Sequence, residues 1–226
     1  MRIVAVIPAL NEEGSIGRVV SAVPRDLVAE VIVVNNGSTD RTAEVAATAG
    51  GRVVTEPRRG YGAACKAGLD SASDADILVY LDGDASDQPE EVASVLRPLL
   101  WGEADLVIGS RLLGRREAGA MPPHAVMGNW LTARLVRCLV GARITDLGSF
   151  RAIRRADLVA LDMRERTYGW PVEMIVKAAK RGYRIHEVPV THRRRIGTSK
   201  VAGTLLGSLK AAYCMLFTTF RYAFRD

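Results

Sequence analysis

Two carboxylates separated by one glycine, Asp82-Gly83-Asp84, carry the plainest chemical signal in this chain. They follow directly on the apolar run Ile77 to Leu81, whose length and bulk predict a buried strand. Acidic side chains at the exit of a parallel strand lie where open α/β sheets bind ligands. Hard oxygen ligands at that spacing suit a divalent cation that is itself holding a diphosphate. A solvated loop can carry the same pattern, so its meaning depends on the elements around it.

Those elements alternate regularly. Ile3 to Ile7 is a β-branched run closed by Pro8, and Asn11-Glu12-Glu13 opens a helix with Ile16, Val19, Val20 and Val23 on one face. Val31 to Val34 repeats the strand pattern and enters Asn35-Asn36-Gly37-Ser38-Thr39-Asp40, where Ser38, Thr39 or Asp40 caps a helix over 41–49. A third strand at 52–55 leads to Arg58-Arg59-Gly60-Tyr61-Gly62 and a helix over 63–72. Gly60-x-Gly62 lacks the third glycine of a dinucleotide fingerprint; the glycines permit a tight turn, and Arg58, Arg59 and Lys66 are phosphate candidates beside it. After the opening strand, Gln88-Pro89-Glu90-Glu91 starts a helix, and Asp105 to Ile108 is a further strand ending in Gly109-Ser110-Arg111. This order predicts a Rossmann-like α/β sandwich of three layers, αβα, on a mostly parallel central sheet. Beyond it come a Gly/Pro/Arg-rich mobile loop (112–123) and a helix over 124–140 with Met127, Trp130, Leu131, Leu135, Cys138 and Leu139 as its apolar stripe. A helix over 168–181, a strand over 184–190 and the basic segment His192 to Lys200 follow. The final helix, 201–224, carries Leu205, Leu209, Tyr213, Leu216, Phe217, Phe220 and Phe224 on one stripe.

At 226 residues the chain can bury a sizeable core, and 48% apolar with 25% charged residues is ordinary globular composition. A net charge of +6 points to anionic partners. Nucleic acid is disfavoured, because no aromatic stacking platforms interleave the basic residues. Cys65, Cys138 and Cys214 lack metal-ligand spacing and read as buried reduced thiols of a cytoplasmic protein. The chain enters a strand at once, without signal-peptide character, and no run of 18 apolar residues is free of charge.

Taken in order, Val6-Ile7-Pro8-Ala9-Leu10-Asn11-Glu12, Val33-Val34-Asn35-Asn36-Gly37-Ser38-Thr39-Asp40 and Asp82-Gly83-Asp84 resemble the inverting family 2 glycosyltransferases. Gly109-Ser110-Arg111, Asp146 to Arg151, Glu187-Val188-Pro189-Val190 and Gly197 to Lys200 are similar to the dolichyl- or polyprenyl-phosphate mannosyl/glucosyl synthase branch. The resemblance spans residues 2 to about 205. It implies a single GT-A domain: a nucleotide-sugar-binding half (1–110), an acceptor half (111–200) and a C-terminal amphipathic helix (201–226). It implies a UDP- or GDP-hexose donor and Mg or Mn at Asp82 and Asp84. Pro8, Ala9, Asn11, Glu12, Asn36, Gly60, Lys66, Asp82, Gly83, Asp84, Arg195 and Lys200 then bind the nucleotide sugar. Arg111, Arg115, Arg116, Asn129, Arg151 and Trp170 bind the acceptor. The family's usual acidic pair before Gly-Ser is Asn35-Asn36 here, so an uncharged amide oxygen replaces a carboxylate facing the base. Ser86 replaces the glutamine often found two residues after the second aspartate.

In such a transfer the departing diphosphate gathers negative charge, which the metal, Arg194, Arg195 and Lys200 neutralise. A lipid monophosphate acceptor is already ionised and needs only positioning cations. A hydroxyl acceptor, soluble or on a protein, needs a base, with Glu173 as candidate and Asp146 second. Asp84, Glu173, Arg111 and Arg194 are thus the catalytic candidates. Lys210 makes a spanning final helix costly. Its stripe suits a membrane face at the cytoplasmic side, or packing on the sheet or on a second copy in a homo-oligomer. A non-catalytic nucleotide-binding scaffold is the remaining reading, and His124, His186 and His192 share no ligand spacing.

Overall fold

The computed structural model describes residues 1–197 and 205–224, without the side chains of 205–211. Seven strands form one sheet: β1 (Ile3–Ala9), β2 (Glu30–Asn35), β3 (Arg52–Thr55), β4 (Ile77–Tyr80), β5 (Leu106–Ser110), β6 (Arg151–Arg154) and β7 (Ile185–Pro189). Their order is β3-β2-β1-β4-β6-β5-β7. All neighbours run parallel except β6, which is antiparallel to both β4 and β5. The expected mostly parallel sheet is therefore present, with one reversed strand at its centre.

The inner strands are buried on both faces, as the unbroken apolar runs of β1, β2 and β4 require, while the edge strands β3 and β7 are partly exposed. One face packs α1 (Ile16–Ala22), α2 (Thr42–Thr48) and α4 (Val92–Leu100) around Ile7, Val19, Val33 and Leu96. The other packs α3 (Tyr61–Ser71), α5 (Pro123–Val140), α6 (Arg155–Ala160) and α7 (Trp170–Lys180) around Val6, Leu78, Ile153 and Val176, with α8 (Leu205–Phe224) outermost against α5 and α7. Three departures from the periodicity matter below. Helix α1 starts at Ile16 rather than near Asn11, because Asn11 adopts a left-handed backbone (φ 52°) that no helix continues through. The stripe of α5 and the described part of the α8 stripe face outward; the side chains of Leu205 and Leu209 lie outside the described residues. Met127 is 66% exposed, Trp130 56%, Tyr213 70% and Phe224 75%, while Asn129, Thr132, Ala133, Val136, Thr218 and Thr219 point inward. All three thiols are free, but only Cys65 is buried.

Candidate active site

A cleft of about 690 Å³ opens along the carboxyl ends of β1, β2, β4 and β5. Asp82 and Asp84 lie on its floor. Strand register brings them a partner from far along the chain. Because β6 runs backwards, Arg151 pairs with Tyr80, so the residue two before it meets the residue two after. Ser149 Oγ accordingly donates to Asp82 Oδ2 at 2.8 Å. Asp87 closes the group from behind: it is buried, and its Oδ2 accepts the Asp82 N–H at 3.3 Å. Burial, then the Asp87 and Asp84 charges, push the Asp82 carboxyl up to about 7. Such an excess of desolvated negative charge fits a divalent cation. Among the described residues no three His, Cys, Asp or Glu converge on one point. The protein thus offers two cleft carboxylates and leaves the other positions to ligand oxygens and water, the mode Mg²⁺ favours.

Two arginines face this floor. Arg195 reaches Asp84 Oδ2 (3.2 Å) and Glu12 Oε1 (2.9 Å). Arg111 is fixed to the fully buried Asp146 by its main-chain N–H (2.7 Å), Nε (2.8 Å) and Nη2 (2.6 Å). Burial pushes Asp146 up, but the guanidinium outweighs it and holds the carboxyl below its ordinary value. The Asp146 N–H and the Thr145 hydroxyl are held in turn by Glu187 of the edge strand β7 (2.9 and 3.0 Å). The segment bearing Arg195 is stitched on both sides: Arg193 N–H to Ser86 O (2.9 Å), Ile196 N–H to Asp84 O (2.9 Å), His192 N–H to Arg115 O (2.8 Å) and Glu117 N–H to His192 O (2.9 Å).

At the other end, Pro8, Ala9, Glu12, Asn36 and Gly60 line the cleft with Arg59 and Tyr61. Asn11 does not line it. Its side chain accepts the Thr39 N–H (2.8 Å), and its own N–H reaches Ser38 Oγ (3.0 Å), bracing the two loops. Of the three candidate caps, Asp40 takes the first free amide of α2, Thr42 N–H, at 3.0 Å. Asn36 spends its amide on loop 56–60, donating to Glu56 O (3.0 Å) and Arg58 O (2.8 Å) and accepting Gly60 N–H (2.7 Å).

Several expected site residues lie elsewhere. Glu173 is fully buried outside the cleft, accepting the Arg164 and Glu165 N–H groups (2.8 and 2.7 Å) and pairing with Lys177 at 2.7 Å. It clamps a loop and cannot meet an acceptor. Arg151 is buried too, its guanidinium donating to the Leu147, Gly148 and Pro171 carbonyls. Trp170 is 1% exposed and packs in the core. Asn129 reaches the cleft wall, yet its amide holds Thr145 O and Leu147 N–H at 3.0 Å each. Arg115 and Arg116 are exposed on the 112–123 loop, and Arg194 bonds Ala118 O (2.6 Å). Lys66 pairs with Asp70 at 2.5 Å, one helical turn on. None of these four cations lines the cleft. Lys200 lies outside the described residues. Of the phosphate candidates Arg58, Arg59 and Lys66, only Arg59 lines the cleft. Asp87 and the hydroxyl of Ser149 were missed as site groups; the β4–β6 register that recruits Ser149 leaves no mark in local spacing. His124, expected to be structural or at the surface, sits at the cleft edge.

The remaining wall is apolar: Met121, Ala125, Leu147, Pro171, Ala212 and Met215, from α5, α7, α8 and the loops between. One cleft thus joins a charged floor to an apolar end.

Comparison with known proteins agrees with this geometry. An uncharacterised glycosyltransferase of Mycobacterium tuberculosis is 38% identical over 211 residues, 92% of this chain and 94% of its own. The undecaprenyl-phosphate mannosyltransferase of Micrococcus luteus is 34% identical over 227 residues (92% and 90%). The dolichyl-phosphate hexose transferase of Haloferax volcanii is 35% identical over 217 residues (93% and 92%). Among solved structures, glucosyl-3-phosphoglycerate synthase of M. tuberculosis with Mn²⁺, UDP-glucose and phosphoglyceric acid superposes with TM-score 0.78 at 26% identity, over 98% of this chain and 79% of that one. The fold is GT-A. Residues 4–161 match the family model for glycosyl transferase family 2, and the chain belongs to that family of glycosyltransferases.

Proposed function

We propose that this glycosyltransferase moves a hexose, with inversion, from a UDP- or GDP-sugar to a polyprenyl phosphate, using Mg²⁺ or Mn²⁺ held by Asp82 and Asp84. The metal supplies Lewis-acid neutralisation of the departing diphosphate. Arg195 lies within reach of the same group, and Arg111, rigidly oriented by Asp146, offers the acceptor phosphate a fixed cation. The observation that carries the acceptor reading is that no described carboxylate in the cleft is left over to act as a base. Among the described residues the only carboxylates lining the cleft are Glu12, Asp82 and Asp84, and Arg195 engages both Glu12 and Asp84. An acceptor that arrives already ionised needs none. The apolar wall suits a prenyl chain, and the outward faces of α5 and α8 beside it suit the cytoplasmic surface of a membrane. No helix among the described residues is long and apolar enough to cross one. The named relatives from Micrococcus luteus and Haloferax volcanii act on lipid phosphates, which supports the same reading.

A second reading, a small phosphorylated acceptor, draws on the phosphoglyceric acid of the mycobacterial synthase. Incubation with labelled UDP-glucose and GDP-mannose, Mn²⁺ and either undecaprenyl phosphate or phosphoglycerate separates the two by partition of product between butanol and water. Label in butanol supports the lipid acceptor; labelled glycosyl-phosphoglycerate in the water phase, separated from unreacted donor by anion exchange, with no label in butanol, refutes it. The Asp84→Ala variant is expected to abolish turnover; undiminished turnover would overturn the metal assignment.

A further inference from the structure

The residues given to the nucleotide's base leave it without an obvious reader. Asn36 has no N–H to spare, and its oxygen already serves Gly60. Its three bonds instead fold loop 56–60, and that fold sorts the two arginines within it. Arg58 turns back on the buried Glu56, through its N–H (2.8 Å) and Nε (3.2 Å). Arg59 is sent the opposite way, across Gly37, where Nη2 donates to the glycine carbonyl at 3.1 Å. A Cβ on Gly37 would come within 3.4 Å of Arg59 Nε, so the guanidinium lies against this backbone. Gly60 keeps the loop close: its φ of 146° suits glycine, and a Cβ there would stand 2.2 Å from Arg166 O. Arg59 lines the cleft and Arg58 does not. No carboxylate among the described residues pairs with Arg59.

We propose that Arg59 reads the donor's base and selects bases that carry a carbonyl oxygen, uracil O4 or guanine O6, where cytosine and adenine carry an amino group. This rests on the nucleotide-sugar reading above. Sheet order puts β1 beside β4 and β2 beyond it, so the end of β2 is about 10 Å from the Asp82–Asp84 floor at two strand spacings. A diphosphate held at that floor sets its ribose over β1 and its base over β2, beneath Arg59. A guanidinium donates and never accepts. Uracil O4 and guanine O6 and N7 are acceptors that complement it, whereas cytosine N4 and adenine N6 turn a donor toward it.

The test is calorimetric titration of the full chain, with Mn²⁺, against UDP, GDP, CDP and ADP. The unaltered protein should bind UDP or GDP at least tenfold more tightly than CDP and ADP. Arg59→Leu, a surface change, should remove most of that preference by weakening UDP or GDP alone, with Arg59→Lys intermediate. Equal weakening of UDP and CDP would mark a phosphate contact and overturn the proposal, as would an unchanged ratio. Asp84→Asn should weaken all four alike, which tests the metal separately. Failure of the unaltered chain to bind any of the four would overturn the donor reading and this one with it.

Discussion

Arg111 and Asp146 form a buried pair whose two halves are unequally placed, and removing each in turn should cost different amounts. Asp146 is fully buried, while Arg111 keeps 20% of its side chain open to the cleft. In Arg111→Ala the carboxylate stays behind in low dielectric with only main-chain N–H partners. Stranding a buried charge costs about 3–5 kcal/mol, or roughly 10 °C in Tm for a chain of this size. In Asp146→Ala the stranded guanidinium can rehydrate at the cleft, and the loss falls to that of its charged hydrogen bonds, about 1.5–3 kcal/mol. The pH dependence has a definite sign. In the unaltered protein Arg111 holds Asp146 low, which adds stability above the unfolded carboxyl's value near 4 and loses it below. In Arg111→Ala the opposing effect of burial takes over. The folded carboxyl then binds its proton more tightly than the unfolded one, and stability rises as the pH falls. The gap between the two proteins should therefore narrow from pH 7 to pH 4.5. Urea denaturation of both variants, followed by tryptophan fluorescence at the two pH values, measures this. A larger loss for Asp146→Ala, or a pH-independent gap, would refute the reasoning.

Three further outcomes are expected. Asp105, held by the Arg184 guanidinium against the opposing effect of burial, is pulled down to about 2. Arg184 is half exposed, so Asp105→Asn should cost only about 1 kcal/mol at pH 7 after screening, and the loss should vanish as the pH falls toward 2. Glu173→Gln should lower Tm while leaving kcat per folded molecule within about twofold; a hundredfold fall in kcat would restore it as a base. Trp130→Ala and Phe217→Ser, both on outward faces, should each weaken binding to anionic phospholipid vesicles by roughly tenfold. Unchanged co-sedimentation would remove the membrane from the account.

The strands bearing the floor were readable because Ile3 to Ile7, Val31 to Val34 and Ile77 to Leu81 are unbroken apolar runs that only a doubly covered sheet accommodates. The exit position of Asp82 and Asp84 followed from that. The helical stripes left their partner open for a physical reason: periodicity reports that a helix is amphipathic, and says nothing about which medium its apolar side meets. On α5 and α8 the small polar residues Thr132, Thr218 and Thr219 take the interior with Tyr222, and Trp130, Tyr213, Phe217, Phe220 and Phe224 are left outside. Arg151 and Glu173 misled in a related way. An isolated charge among apolar neighbours looks functional, yet each is buried because main-chain groups from distant loops, Gly148 or Arg164, satisfy it. Ser149 depended on a strand pairing 71 to 77 residues apart in sequence (Tyr80 with Arg151, Ile77 with Arg154), and Asp87 on a turn that brings its carboxylate back to the Asp82 N–H.

That pairing also settles how this molecule can be cut. The expected boundary between a nucleotide-sugar-binding half and an acceptor half at Ser110 invites dissection at that point. But β5, made before the boundary, never touches β4; the two are joined only through β6, made after it. A fragment ending at Ser110 would leave β4 with an open edge and β5 with no neighbour. Exchanging acceptor halves between relatives therefore means transplanting a strand into the middle of the recipient's sheet, with its residues matched to both flanking strands. The practical seams for chimeras are instead the exposed 112–123 loop together with the turn before β6, replaced as one insert while Arg151 to Arg154 stay native.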